Sequence, residues 1–305
     1  MRDLSDKELI DELKKRFEKN KNALQEVQDL NEELKKVNQK LEDSESLKSH
    51  FISNITNEII NPFASILALS KNILSVEKEN WKKVFSMVSL IYSEAFNLDF
   101  QLRNIFVAAK LEAGEIFPEI LNVDIKHLIK SVIESFKYEA KKKKLNIVLE
   151  FNIPADDHKP FFFKTDSEKI RLIISNLLSN AVKFSHDKQD IIIKVEKKDT
   201  HLIISIKDHG AGISHENQKI IFDRFKRIDS GINSLHRGHG LGLSINKALL
   251  DVLEGSIDIE SEEEKGACFT ITIPENISQV SGFAFDGNDM FFDDDKFIDE
   301  SAESF

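Results

Sequence analysis

The chain has 305 residues, 41% of them hydrophobic and 31% charged, enough for one or two globular modules plus extended helix. No apolar run approaches the roughly 20 residues that cross a bilayer, the N-terminal MRDLSDKELIDELKK has no signal-peptide core, and the single cysteine, Cys268, excludes a disulfide framework and a cysteine-based zinc site; together these predict a cytoplasmic protein without a transmembrane segment. The formal charge of −11 is concentrated in residues 281–305, where eight Asp and Glu face only Lys296, so no clustered positive face suggests a nucleic-acid partner.

Residues 1–47 lack glycine and proline, and Val27, Leu30, Leu34, Val37 and Leu41 recur at steps of three and four, the seam of a coiled coil. Asn20 and Ser44 interrupt that seam. Such a helix serves either as an input lever or as a simple dimerisation stalk.

Residues 51–63, FISNITNEIINPF, continue in helical rhythm. Ile52, Ile55, Ile59, Phe63 and Ile66 form an apolar stripe, while Asn54, Asn57 and Asn61 share another face. Asn57 and Asn61 lie one turn apart with Glu58 beside them, so two amides and a carboxylate are displayed together. Pro62 cannot donate to the Glu58 carbonyl and predicts a bend. After a polar turn at 77–80, a second helix carries Val84, Val88, Ile91, Ala95, Leu98, Leu102, Ile105 and Ala109 and stops at Gly114. Two such helices make an antiparallel hairpin over residues 48–115, whose core is completed by a second copy as a dimeric four-helix bundle.

From residue 116 to 275 the rhythm alternates. Helices are predicted at 125–142, 166–184 and 243–253, and strands at 145–151, 191–197, 202–207, 256–260 and 267–273, an α/β sandwich that makes the whole chain α+β. Cys268 falls in the alternating run ACFTITI and reads as a structural strand residue. Residues 276–305 lose periodicity and scatter Phe283, Phe285, Phe291, Phe292, Phe297 and Phe305 among acids. That composition predicts a disordered tail, free to dock in a groove.

Four motifs in this second half carry chemistry. NLLSNAVKF, residues 176–184, preceded by Asp166 and Arg171, stacks Asn176, Asn180 and Lys183 on one helix face; amide oxygens suit a hard cation and the lysine suits phosphate oxygens. DHGAGI, residues 208–213, puts a carboxylate beside glycines at a strand end. IFDRFKR spans 221–227. RGHGLGLSI, residues 237–245, sets Gly238, Gly240 and Gly242 just ahead of a helix, where backbone N–H groups can meet an anion. No metal spacing links the histidines.

Residues 51–63 resemble the phosphoacceptor box of sensor histidine kinases, with Phe51, Thr56, Glu58, Asn61, Pro62 and Phe63 fitting the pattern, and the four later motifs resemble the ATP-binding domain of the same family, a fold shared with gyrase and MutL ATPases. The resemblance covers residues 48–275. It implies a homodimer working in two-component signalling with the receiver domain of a response regulator, and with a partner histidine kinase or an upstream sensor as a further partner. It implies bound ATP and Mg2+, with Asn180 as metal ligand, Asp208 accepting from the adenine amino group, Phe222 and Phe225 at a lid hinge, and Asn176, Lys183, Gly210, Gly212, Gly238, Gly240 and Gly242 around the nucleotide. Glu58 takes the general-base position, and Asn61 the position of the residue used to dephosphorylate regulators.

One position departs. Where the family carries its acceptor histidine this chain has Asn57, whose amide nitrogen is a poor nucleophile. His50 lies about two turns away, roughly 11 Å from that mark. Three functions therefore compete: phosphoryl transfer involving a partner, dephosphorylation of a regulator through Asn61, and a non-catalytic ATP-gated scaffold.

Overall fold

The structure, a computed structural model, describes residues 6–76, 80–153, 160–223, 241–277 and 283–284, with the side chains of 6–9, 11–13, 40–58 and 283–284 outside that description. The chain divides into two units, residues 1–54 and 55–305. The first consists of the opening part of helix α1 (Asp6–Leu74). Its seam residues Val27, Leu30, Leu34 and Val37 are all exposed, an apolar stripe along the helix.

The second unit opens with the rest of α1, which runs through Pro62 without ending. Helix α2 (Trp81–Ala113) follows and is closed by Gly114 at φ 68°, a left-handed stop whose N–H reaches the Leu111 carbonyl. Beyond it lie β1 (Leu121–Asp124), α3 (Ile125–Lys142), β2 (Asn146–Phe151), β3 (Phe162–Thr165), α4 (Ser167–Phe184), β4 (Asp190–Lys198), β5 (His201–Lys207), α5 (His215–Gln218), α6 (Gly242–Val252), β6 (Ser256–Glu262), β7 (Gly266–Pro274) and β8 (Phe283–Ala284).

Five strands form one sheet in the order β2-β4-β5-β7-β6, with β2 parallel to β4 and every other neighbour antiparallel. The alternation that predicted these strands is the burial pattern itself: Ile191, Ile193 and Val195 on β4 and Leu202, Ile204 and Ile206 on β5 point inward. Opposite them, α4 buries Ile170, Ile173, Ile174, Leu177 and Leu178, α3 buries Ile125, Ile129 and Val132, and α6 buries Ile245, Leu249 and Leu250. This is the expected sandwich of helices on a mixed sheet. Cys268 sits half-buried on β7, where burial pushes its thiol pKa up and keeps it in the unreactive neutral form.

Three short strands escape periodicity. β1 and β3 pair antiparallel through four residues each, and β3 contributes Phe163, among the largest fully buried side chains. Four residues are too few to display a period of two. β8 adds two residues of the acidic tail in parallel to β1, opposite Asn122 and Val123, so a tail expected to be disordered contains this one described strand.

Helix α2 packs against α3 of the sandwich. Phe96 and Phe100 on α2 meet Phe136 on α3 edge-to-face, with centroids 5.3 and 6.1 Å apart. Buried Ser93 donates to Glu139 at 2.5 Å and accepts from Lys142 at 2.8 Å.

Asp166 closes the junction from the other side. It caps α4 by accepting from the Lys169 backbone at 3.0 Å, binds Lys169 Nζ at 2.6 Å, and accepts from Glu119 N–H, in the segment between α2 and β1, at 2.7 Å. With the carboxylate only 2% exposed, Asp166→Ala leaves a partly buried ammonium and two backbone donors, Lys169 N and Glu119 N, without this partner. A loss of about 3 kcal/mol is expected, read as a lower urea midpoint with unchanged slope.

Candidate functional site

Asp208 follows β5 directly. Its backbone N–H donates to Ala267 O at 2.8 Å, continuing the β5–β7 ladder by one rung. Its Oδ1 then accepts from Gly210 N at 3.1 Å and Ala267 N at 3.2 Å. Both bonds fall on one oxygen; among the described residues Oδ2 takes no hydrogen bond. The carboxylate is 6% exposed, and that burial, the largest influence, holds its pKa above the ordinary 3.8 despite the two backbone donors and the nearby His209 and His186, which pull the other way. A buried acceptor with one oxygen pinned and the other unspent is a docking point for a ligand N–H.

The glycines of this loop have a reason the sequence did not supply. A Cβ on Gly210 would come within 2.0 Å of Phe184 O, and one on Gly212, at φ +66°, within 1.9 Å of Glu262 O. They let the loop press against the end of α4 and the end of β6, rather than serving only a ligand's approach. Ser261 accepts from Ile213 N at 2.9 Å, and Gln218 on α5 donates to Ile213 O and Ser261 O, both at 2.8 Å. The loop is thus tied down from two sides. His209 is occupied as well: its Nδ1 lies 2.8 Å from Asp190 O, and since a carbonyl only accepts, Nδ1 carries the proton.

On α4 the predicted face divides. Asn180 and Lys183 are half-buried at the surface, and Lys183 Nζ stands 5.1 Å from the Phe184 ring centroid. Asn176 is instead 3% exposed and bonded inward, donating from Nδ2 to Asn246 Oδ1 at 2.8 Å and more weakly to Gly242 O at 3.4 Å. Asn246, on α6 and fully buried, donates in turn to Ile173 O at 3.1 Å. Sequence reasoning missed Asn246; its signal is a lone amide in the apolar run of GLSINKALL, at a position that rhythm assigns to the core.

Gly242 opens α6 against Asn176, whose Cγ and Oδ1 would each lie 3.4 Å from an added Cβ. Phe222 is half-buried, with Lys247 Nζ 6.0 Å from its ring centroid. Phe225, Gly238 and Gly240 lie outside the described residues. Asn57 and Glu58 lie on α1 with side chains outside the description, and Asn61, four residues on, is exposed. The structure therefore sets the Asp208–Gly212 loop against the ends of α4 and β6, and separately sets Asn176, one turn before Asn180 on α4, against Gly242 at the start of α6.

Residues 165–277 match the family described as histidine kinase-, DNA gyrase B-, and HSP90-like ATPase. The circadian input-output histidine kinase CikA of Synechocystis is 28% identical over 234 residues, covering 75% of this chain and 31% of that protein. Sensor protein EvgS of Escherichia coli is 31% identical over 239 residues, covering 76% of this chain and 19% of EvgS. Sensor protein RprX of Bacteroides fragilis is 30% identical over 233 residues, covering 75% and 44%. The chain thus spans less than half the length of these relatives. Full-length ShkA in complex with AMPPNP superposes with a TM-score of 0.53 at 23% identity, over 77% of this chain and 47% of ShkA, a likeness of fold. Among the described residues no helix is long and apolar enough to cross a membrane. Residues 165–277 thus match a histidine kinase-, DNA gyrase B- and HSP90-like ATPase domain, and relatives named as a histidine kinase and as sensor proteins are similar to this chain over about three quarters of its length.

Proposed function

We propose that this chain binds magnesium–ATP at the ends of β5, α4 and α6 and works in two-component signalling with a substituted acceptor, passing phosphate to a histidine on a partner rather than to its own position 57. The observation that carries the nucleotide reading is Asp208, a buried carboxylate with one oxygen held by Gly210 and Ala267 and the other left to accept from an adenine amino group. Among the described residues no three His, Cys, Asp or Glu side chains cluster to hold a metal, and it is the resemblance that points to an amide as the protein ligand here. Asn180 offers one at the surface of α4, and a hard Mg2+ that keeps waters and phosphate oxygens fits such a sparse donor set. Bound there, magnesium would neutralise phosphate charge. Lys183 would hold a phosphate oxygen and the start of α6 would present backbone donors.

The exposed apolar seams support a homodimer. Val27, Leu30, Leu34 and Val37 on α1, and Val88 beside Trp81 and Phe85 on α2, are all exposed. Calorimetry should give micromolar to sub-millimolar binding of ATP with magnesium, and sedimentation should give a dimer; a chain that takes no nucleotide with magnesium present sinks the proposal.

Asn61 supports a second reading. It is exposed one helical turn beyond position 57, where its amide can accept from a water directed at an aspartyl phosphate while the regulator supplies its own aspartate and metal. Phosphorylated regulators incubated with the chain should lose phosphate faster than alone, and Asn61→Ala should return them to their spontaneous rate. Equal decay with both proteins removes this reading. Absence of transfer to any partner as well leaves an ATP-gated scaffold.

A further inference from the structure

Asn176 and Asn246 form a relay with a direction. The Ile173 carbonyl can only accept, so the Asn246 atom 3.1 Å from it is Nδ2, and the other end of that amide is an oxygen. Asn246 Oδ1 in turn accepts from Asn176 at 2.8 Å, so the Asn176 atom facing it is nitrogen. The free end of the Asn176 amide is therefore Oδ1, beside Gly242 at the opening of α6 and one turn before Asn180. Asn246 is 0% exposed and Asn176 3% exposed, so water cannot substitute for either bond. Without Asn246 the Asn176 amide has no reason to keep this orientation, and half a turn about its last torsion would point an NH2 group at the site instead.

We propose that Asn246 is a positioning residue that fixes the polarity of the Asn176 amide, so that an oxygen rather than an amino group faces magnesium and its bound waters. The inference rests on the magnesium–nucleotide reading of this site. An amide oxygen attracts a hard cation or accepts from its water; an NH2 group in the same place repels the ion and offers those waters no acceptor. Asn246 acts through Asn176 and touches no ligand itself, in the manner of the outer partners that orient metal-binding side chains. It also ties the start of α6 to α4, so both walls of the site share one hydrogen-bonded amide pair.

The test compares the affinity of the full chain for ADP with and without magnesium, alongside its affinity for adenosine, which engages Asp208 but carries no phosphate. In wild type, magnesium should tighten ADP binding. In Asn246→Val that gain should shrink about tenfold, the lower end of what loss of an orienting partner costs a metal site, while adenosine affinity stays within about twofold. Asn246→Asp keeps an acceptor opposite Asn176 Nδ2 and should retain the gain even though it stabilises the fold less, which keeps the question answerable if the valine variant does not fold. Adding Asn176→Asp to Asn246→Val should restore the gain, because a carboxylate has oxygen at both ends. A merely structural role would instead weaken adenosine and ADP together. The proposal is overturned by an undiminished gain in Asn246→Val, by a lost gain in Asn246→Asp, or by parallel loss of adenosine. Wild type that binds ADP without any magnesium gain overturns this inference alone; wild type that binds neither ADP nor ATP brings down the nucleotide reading and this inference with it.

Discussion

Replacing Asp208 by asparagine should weaken adenine-nucleotide binding by about a hundredfold, although the two side chains have nearly the same shape. The Gly210 and Ala267 N–H groups demand an oxygen at the first position, 3.1 and 3.2 Å away, and an asparagine satisfies them with its single carbonyl oxygen. Its NH2 group then occupies the place of Oδ2. A donor meets the adenine amino donor, and a charge-assisted hydrogen bond becomes a repulsive contact. Acidity should act in the same direction. Burial raises the Asp208 pKa above 3.8, and the protonated carboxyl is a poorer acceptor, so nucleotide affinity should fall as pH is lowered through that raised value. The stability effect has the opposite sign: the folded state holds this proton more tightly than the unfolded chain, so ionising Asp208 lowers stability as pH rises above 3.8, and the asparagine variant lacks that loss. Calorimetric titrations of wild type and Asp208→Asn across this range check both effects, and unchanged ADP affinity in the variant would remove Asp208 from the site.

Why some of this was legible in the sequence and some was not follows from range. The bounds of α3, Ile125–Lys142, could be read directly because Leu128, Ile129, Val132 and Phe136 mark one buried face and Asp124 caps its start through Lys126 N and His127 N. Strands β4, β5 and β7 were legible for the same local reason. β1 and β3 were not, because each is defined by its partner across some 40 residues of chain rather than by its own four residues. The site divides in the same way. Asp208, Asn180 and Lys183 stand out as motif residues, whereas the real constraint on Gly210 is the Phe184 carbonyl and that on Gly212 the Glu262 carbonyl, contacts that no spacing reveals. Asn176 reads as a ligand-facing amide by its i, i+4 relation to Asn180, yet its nitrogen is spent on Asn246, seventy residues on. The join between α2 and α3 was equally hidden, since Phe96 and Phe136 each fit a helix stripe of their own.

Incubated alone with radiolabelled ATP and magnesium, the wild-type chain should accumulate no acid-labile phosphohistidine, and Asn57→His should raise that label by on the order of a hundredfold. An asparagine nitrogen shares its lone pair with the carbonyl, so attack on the γ-phosphorus would break amide resonance and leave a charged, unstable adduct. A neutral imidazole has an in-plane lone pair for the attack, and the adjacent Glu58 is positioned in sequence to take or hold its proton. The substitution falls within helix α1, where histidine and asparagine have similar helix propensity, so the backbone should tolerate it. Label in the variant would show that the ATP-binding fold is a working kinase whose own target has been removed, and it would direct the search to a partner's histidine. Label in wild type mapping to His50, two turns before position 57, would show that the acceptor has moved along the helix. A silent Asn57→His variant that still binds magnesium–ATP would show that the loss of transfer extends beyond the missing imidazole, which favours the scaffold or the Asn61-dependent phosphatase over phosphoryl transfer to a partner.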